Sequence, residues 1–306
     1  MFYFFSSAFS SATVLPKHLL GVFVSGLLIV IGGILDDRFN LRPARQIFFP
    51  ILAIAFIIVS GIDADWITNP FSGSLVGLNQ HDCILFWYHG LPYKITLWAD
   101  LFTFVWLLGL TYTTKLLDGV DGLVSGLTVI GSIFIFITAI TNDPVQFDVA
   151  LLALILAGAF GGFLMFNFNP AKIFLGEGGS LLSGFMLGVL SILSGSRVAI
   201  TLIIMGIPVI DVFYTIIRRL RGGHNPFKTS DKKHLHHRLL EAGLSVRQTV
   251  ALFYVVAIIL GAITLFVQRL PFGIFSVLLM IIFTYLTIRA YIYRKLAKKV
   301  VDRPLD

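Results

Sequence analysis

Apolar runs long enough to cross a lipid bilayer recur nine times in this chain, and they leave few folds open to it. They cover roughly residues 19–35, 47–64, 95–112, 123–141, 148–167, 180–195, 198–217, 249–268 and 271–289. A span needs about 20 mostly apolar residues, and a backbone inside hydrocarbon must satisfy its own hydrogen bonds, so each run is predicted to be a helix. Residues 1–14 read as the tail of one more apolar helix. The expected fold is all-α: a polytopic helical integral membrane protein of about nine transmembrane helices plus a partial N-terminal one. Residues 1–306 form a single domain, without soluble appendage, low-complexity tract or internal repeat.

Charge supports this reading. Only 13% of the residues are charged, where a soluble domain carries about 25%. The connectors 36–46, 113–122, 168–179, 218–248 and 289–306 hold 19 of the 23 Lys and Arg, and the alternate set holds only Lys17, Lys94, Arg197 and Arg269. The positive-inside rule puts the first set in the cytoplasm. The net charge of +7 therefore follows topology and does not point to nucleic acid. Cys83 is the single cysteine, which excludes an intrachain disulfide. Met1–Leu15 has neither the basic start nor the cleavage site of a signal peptide. The external connector 62–94 holds Trp66, Phe71, Phe86, Trp87 and Tyr88 and is expected to lie in the interface, without chemistry of its own. The basic tail Arg294–Lys299 is expected to touch anionic headgroups.

The unusual polar residues crowd the cytoplasmic side. Lys115-Leu-Leu-Asp118-Gly-Val-Asp121-Gly122 places two Asp-Gly steps three residues apart between spans. Glycine accepts the dihedrals of a turn, so this is a helix, a tight acidic loop and a second helix. Taken alone it fits a polar turn as well as a seat for a metal-bound phosphate. Asp36–Asp37 ends the first run; like charges so close repel, and a bland helix end would more often separate them. Glu177 lies between Asn167-Phe-Asn169-Pro170 and Gly178-Gly179-Ser180, which suits either an ordinary turn or a loop whose amides approach phosphate. His234-Leu-His236-His237 without cysteines is weak for zinc. Beside Lys232, Lys233 and Arg238 it reads better as a phosphate-binding surface. Base rates put Phe174 in the core, and Asp211 shares a helix face with Arg218 and Arg219, as a structural group.

Four motifs in this order resemble the polyprenyl-phosphate N-acetylhexosamine-1-phosphate transferases. They are Asp36–Asp37 with Leu41, Leu117-Asp-Gly-Val-Asp-Gly-Leu123, Asn167-Phe-Asn-Pro-Ala171 through Phe174 to Gly176-Glu-Gly-Gly-Ser180, and His234-Leu-His-His237. Together they run from about Gly33 to Gly243. Arg218-Arg-Leu-Arg221, Pro226-Phe227 and the histidines are more similar to the undecaprenyl-phosphate GlcNAc-1-phosphate transferases than to the phospho-MurNAc-pentapeptide transferases, which remain the alternative. A multi-pass transporter would instead place charges near the midplane; a non-catalytic homologue is the third reading.

The resemblance implies a transfer of HexNAc-1-phosphate from a UDP-HexNAc, most simply UDP-GlcNAc, to undecaprenyl phosphate, with release of UMP. This would be the first membrane step of a cell-envelope polysaccharide such as the O-antigen of lipopolysaccharide. It implies Mg²⁺ (or Mn²⁺) at Glu177 with Asp118 close by, and Asp36 and Asp37 orienting or deprotonating the lipid phosphate. Asp121, Asn167 and a stacking Phe174 would hold the uridine, and His236 and His237 would bind phosphate. Lys115 and Arg45 would add positive charge. It further implies a bacterial plasma membrane, a cytoplasmic active site and room for a homodimer. This chain departs from the family at Glu177, where Asp is usual, at Lys115, where Asn is usual, and at Arg45, nearest the usual Lys. The family pattern also has an earlier span and a basic loop ending in Gly-Gly. From that comes the expectation that these 306 residues insert into membranes but transfer slowly until such a segment is supplied.

Overall fold

Every one of the nine apolar runs is helical in the computed structural model, which describes residues 14–69, 71–72, 74–79, 82–88, 91–141, 144–195, 198–222, 234–267, 270 and 273–301. The expected tail over residues 1–14, apart from Val14, and the cations Lys232 and Lys233 lie outside the described residues. In chain order the helices are α1 (Pro16–Phe39), α2 (Pro43–Gln46), α3 (Phe48–Val59), α4 (Leu97–Leu117), α5 (Leu123–Ile140), α6 (Phe147–Asn167), α7 (Gly176–Leu193), α8 (Val198–Ile204), α9 (Gly206–Arg221), α10 (Leu235–Glu241), α11 (Val246–Val267) and α12 (Gly273–Val301).

Not every one of these runs forms a helix that by itself is long and apolar enough to span a membrane. Among the described residues six helices are long and apolar enough to cross a membrane, or seven if α8 and α9 count as one bent span. Helix α3 has 12 residues, about 18 Å at 1.5 Å per residue, against a hydrocarbon core of about 30 Å. Helix α4 is long enough, but Trp, Thr and Asp100 make it less apolar. The run 198–217 is not one straight helix, because α8 and α9 meet at 75° around Met205. Pro208, which has no N–H to give, stands just past the break.

The 62–94 connector is also more ordered than a loop, and it qualifies the all-α expectation. It folds into two antiparallel hairpins, β1 (Trp66–Thr68) with β2 (Leu75–Gly77) and β3 (Asp82–Tyr88) with β4 (Leu91–Thr96). Ala64 N donates to Thr103 Oγ1 at 3.0 Å, which ties this segment to the start of α4.

Helix α7 is the post of the bundle. It packs against α1, α4, α5, α6 and α8, and buries Phe185, Leu187 and Leu190 completely. Small residues let the helices close up, as expected where dispersion rather than water drives association. Gly33 of α1 lies directly on Gly178 of α7, so close that a Cβ on Gly33 would overlap the Gly178 backbone. Gly184 meets the Leu110 carbonyl of α4 in the same way. Buried hydroxyls find acceptors one turn back, as Thr111 does on Leu107 O at 2.6 Å and Thr128 on Val124 O at 2.8 Å. The packing brings the C-terminal ends of α1, α4 and α6 and the N-terminal ends of α5 and α7 to one end of the bundle.

Candidate active site

A cleft of about 360 Å³ opens at that end. Asp37, Lys115, Asp118, Asp121, Asn167, Phe174 and Glu177 line it together with Gly119, Val120, Leu175, Gly176 and Ser180. Four of the residues singled out in the sequence stand outside this lining: Asp36, Arg45, His236 and His237.

The adjacent aspartates have different surroundings. Asp36 is 6% exposed. Its Oδ1 accepts from Leu41 N at 2.9 Å and from Gln46 Nε2 at 3.0 Å, closing the turn after α1, and its Oδ2 lies 3.4 Å from Lys115 Nζ. Asp37, one residue on, faces the cleft, and its Oδ1 accepts from Glu177 N at 3.1 Å. That bond ties the end of α1 to the start of α7, where Gly176 adopts φ +69°, a conformation that glycine enters without strain. Of the pair, Asp37 is the one placed to meet a substrate.

Lys115 sits between carboxylates. Its Nζ is 2.9 Å from Glu177 Oε2, 3.4 Å from Asp36 Oδ2 and 3.3 Å from Gln46 Oε1. The Asp118 side chain opens to the cleft, yet partial burial, with Glu177, Asp37 and Asp121 around it, pushes its carboxyl up to about 7. Asp121 uses Oδ2 to hold the next loop, accepting from Asn169 Nδ2 at 3.0 Å and Ala171 N at 3.2 Å. Asn167 braces the two loops: its Oδ1 accepts from Gly122 N at 3.1 Å and Ser125 Oγ at 2.8 Å, and its Nδ2 donates to Ile173 O at 3.0 Å. Phe174 is not a core residue; it is 76% exposed, on the cleft wall, with its ring face available.

The histidines approach the acidic loop from the side. A Cβ on Gly119 would stand 2.9 Å from His236 Nε2 and 3.2 Å from His237 Nε2, so only glycine lets the rings come this near. Burial, with His237 and His234 beside it, pushes His236 down to about 3. It is therefore neutral near pH 7 and can offer an N–H but not a charge. Arg45 lines a separate hollow of about 370 Å³ with Leu35, Phe39, Leu41, Phe48 and Phe49.

Sequence reasoning missed Gln46, Ser125, Arg247 and Tyr254. Arg247 Nε donates to Asn169 O at 2.9 Å, and Tyr254 OH donates to Gly122 O. Their partners are up to 132 residues away in the chain, and no local pattern marks them.

The donor set suits a hard divalent cation. Carboxylate oxygens of Asp118 and Glu177 face one cleft, and Asp118 is raised first by burial and then by the negative charge of Glu177, Asp37 and Asp121. Among the described residues no three His, Cys, Asp or Glu side chains converge as a protein-only cage. Mg²⁺ does not need one, since it is commonly held by one or two carboxylates plus substrate phosphates.

The sequence profile of glycosyl transferase family 4 matches residues 19–195. The chain is 34% identical over 275 residues to a probable undecaprenyl-phosphate N-acetylglucosaminyl 1-phosphate transferase of Bacillus subtilis, covering 87% of this chain and 71% of that protein. It is 32% identical over 257 residues to the decaprenyl-phosphate N-acetylglucosaminephosphotransferase of Mycolicibacterium smegmatis, covering 76% of this chain and 59% of that protein. A Listeria monocytogenes phospho-N-acetylmuramoyl-pentapeptide-transferase is 36% identical over 169 residues, 53% of this chain and 49% of that one. The chain thus spans between about half and seven-tenths of the relatives it matches.

Proposed function

The chain belongs to glycosyl transferase family 4, and on that premise we propose that it moves a HexNAc-1-phosphate, GlcNAc-1-phosphate first among the candidates, from a UDP-sugar to undecaprenyl phosphate. One observation carries the reading. Carboxylates from three separate segments, Asp37, Asp118 with Asp121, and Glu177, meet an exposed aromatic ring in one cleft at one end of an apolar bundle. A headgroup reaction on a membrane lipid needs that geometry.

The chemistry exchanges one phosphoanhydride for another. An oxygen of the lipid phosphate bonds to the phosphorus that carries the sugar, and the bond from that phosphorus to the bridging oxygen breaks, so UMP leaves with the electron pair. Two anions must approach, and neutralising them is the main demand. Asp37 would take or steer the proton of the lipid phosphate. Phe174 would stack on the uracil, with Asp121 and Asn167 shaping that end. His236 and His237, beside Gly119 of the acidic loop, would bind phosphate. Mg²⁺ at Glu177 and Asp118 would supply charge neutralisation when bound. The surplus of Lys and Arg in the connectors at this end supports a cytoplasmic site, and single cysteines placed at Arg38 and Lys172 should label only from inside.

The test is UMP release from purified protein given undecaprenyl phosphate and either UDP-GlcNAc or UDP-MurNAc-pentapeptide. Release from the first donor supports the proposal, release from the second alone moves the chain to the Listeria-type reaction, and release from neither refutes transferase activity. Glu177→Gln should abolish release, whereas Glu177→Asp, the usual residue at this position, should keep at least a tenth of it. Full activity in the Gln variant would overturn the metal assignment.

A further inference from the structure

Among the buried acids outside the reactive cleft is Asp211. Asp211 lies on α9, beyond the 75° bend, and is only 6% exposed. A lone buried carboxylate is costly unless its oxygens are satisfied. Here they hold three elements together. Asp211 Oδ2 accepts from Leu235 N at 3.1 Å and lies 2.9 Å from His234 Nδ1, both at the start of α10. Asp211 Oδ1 accepts from Tyr285 OH of α12 at 3.2 Å. Arg289 Nη1 in turn donates to Tyr285 OH at 3.2 Å, and the guanidinium lies 3.7 Å from the centre of the Tyr214 ring.

Helix α10 has seven residues, too few to hold its shape unaided in water. Its first turn is set by Asp211, and the histidines follow from there. The His234 ring lies parallel to that of His236 at 5.8 Å, and His236 lies 4.3 Å from His237. His236 is 1% exposed, with no hydrogen-bond partner on either ring nitrogen among the described residues, and its Nε2 faces Gly119 of the acidic loop. A ring held this firmly without a hydrogen bond of its own must take its position from its neighbours.

We propose that Asp211 is a positioning residue: through His234 it fixes the place of His236 and His237 against the Asp118–Asp121 loop, and Tyr285 with Arg289 holds the Asp211 carboxylate in register. The reading rests on the proposed transferase activity only for its kinetic consequence. Its structural consequence can be read without turnover.

The first arm maps diethyl pyrocarbonate modification of the 306-residue protein in detergent by mass spectrometry. In the unaltered protein His236 should be protected. In Asp211→Asn, whose amide has the same shape but presents a donor where one oxygen accepted, His236 should react at least tenfold faster. His18, at the far end of α1, should be unchanged and so separates local release from unfolding. Unchanged protection of His236 would overturn the proposal, and so would an equal rise at His18. Tyr285→Phe removes the hydroxyl that bonds both Asp211 and Arg289 while leaving the Asp211 contacts to α10 in place, and serves where Asp211→Asn does not accumulate; a threefold or greater rise at His236 alone is expected. The second arm is kinetic. Asp211→Asn should lower kcat by about thirtyfold or more, with KM for UDP-GlcNAc within threefold. The loss should vanish when His236 is already Ala. Losses that multiply in the double variant would show that Asp211 does not act through the histidines. If the unaltered protein releases no UMP from either donor, the functional proposal fails, and the modification arm still decides this one.

Discussion

By the family resemblance Lys115 replaces an Asn, and its ammonium lies among the carboxylates of the site. Lys115→Asn removes it from 2.9 Å of Glu177 and 3.4 Å of Asp36. A unit-charge pair at about 4 Å is worth roughly 4 kcal/mol at an effective dielectric of about 20. The side chains of Lys115 and Glu177 are 14% and 35% exposed, so solvent screens that pair. Halving the figure for this exposure leaves about 2 kcal/mol. Any Mg²⁺ that binds Glu177 has to displace or share with this ammonium. The substitution should therefore lower the half-saturating Mg²⁺ concentration by about thirtyfold, which is 2 kcal/mol at 1.36 kcal/mol per decade. The metal-free protein should lose about 2 kcal/mol of stability, because Asp36 keeps its two hydrogen bonds but loses this cation. Mg²⁺ titrations of the thermal midpoint and of UMP release, on both proteins in the same detergent, measure these changes. A Mg²⁺ requirement unchanged within threefold, or one that weakens, would refute the argument that Lys115 competes with the metal.

Other substitutions separate residues that the sequence treats alike. Asp36→Asn should destabilise the protein by about 2–3 kcal/mol, since a buried, hydrogen-bonded charge is disturbed. Asp37→Asn should leave the thermal midpoint within a few degrees, because the amide oxygen can still accept from Glu177 N, and should lower kcat a hundredfold or more; equal thermal losses in the two variants would contradict this division. Gly33→Ala should cost about 1–3 kcal/mol, the usual penalty for overpacking, as read from detergent unfolding, since its methyl overlaps the Gly178 backbone. The Asp118 carboxyl is raised from its usual range near 3.9 to about 7, so the folded protein gains protons over that interval. Its contribution to stability is present below about 4 and is lost as pH rises toward 7, with divalent ions chelated. Added Mg²⁺ competes with that proton, so its stabilising shift should be larger at pH 8 than at pH 5; equal shifts would contradict the assignment.

The helices were legible because hydrocarbon allows so few alternatives. The run 123–141 became Leu123–Ile140, and 148–167 became Phe147–Asn167, each within one residue at either end. The bend at Met205 was not foreseen, although Gly206-Ile-Pro208 carried a signal for it. The hairpins were missed because Trp66, Phe86, Trp87 and Tyr88 were counted as interfacial aromatics, when such residues also favour strands. In the site, residue types showed which groups carry charge but not which oxygens remain free. Asp36 and Asp37 are neighbours of equal chemistry, and only the turn at Leu41 and the contact at Glu177 tell them apart. Asp211 was matched with arginines on its own helix face, whereas the bend carries it to His234, 23 residues along the chain.

The crossing of Gly33 on Gly178 has a mechanical consequence. Asp37 is four residues past one glycine, Glu177 directly precedes the other, and a hydrogen bond of 3.1 Å joins them. The two transmembrane helices therefore meet like the arms of a riveted hinge, with the working jaws one turn from the rivet. A ligand that drew Asp37 inward would pull on the first turn of α7 through this bond. Such a tool can be refitted for another sugar or another lipid along the rim of its jaws. It cannot be refitted by sliding one arm along the other, because the first side chain to gain a carbon at the rivet prises the carboxylates apart.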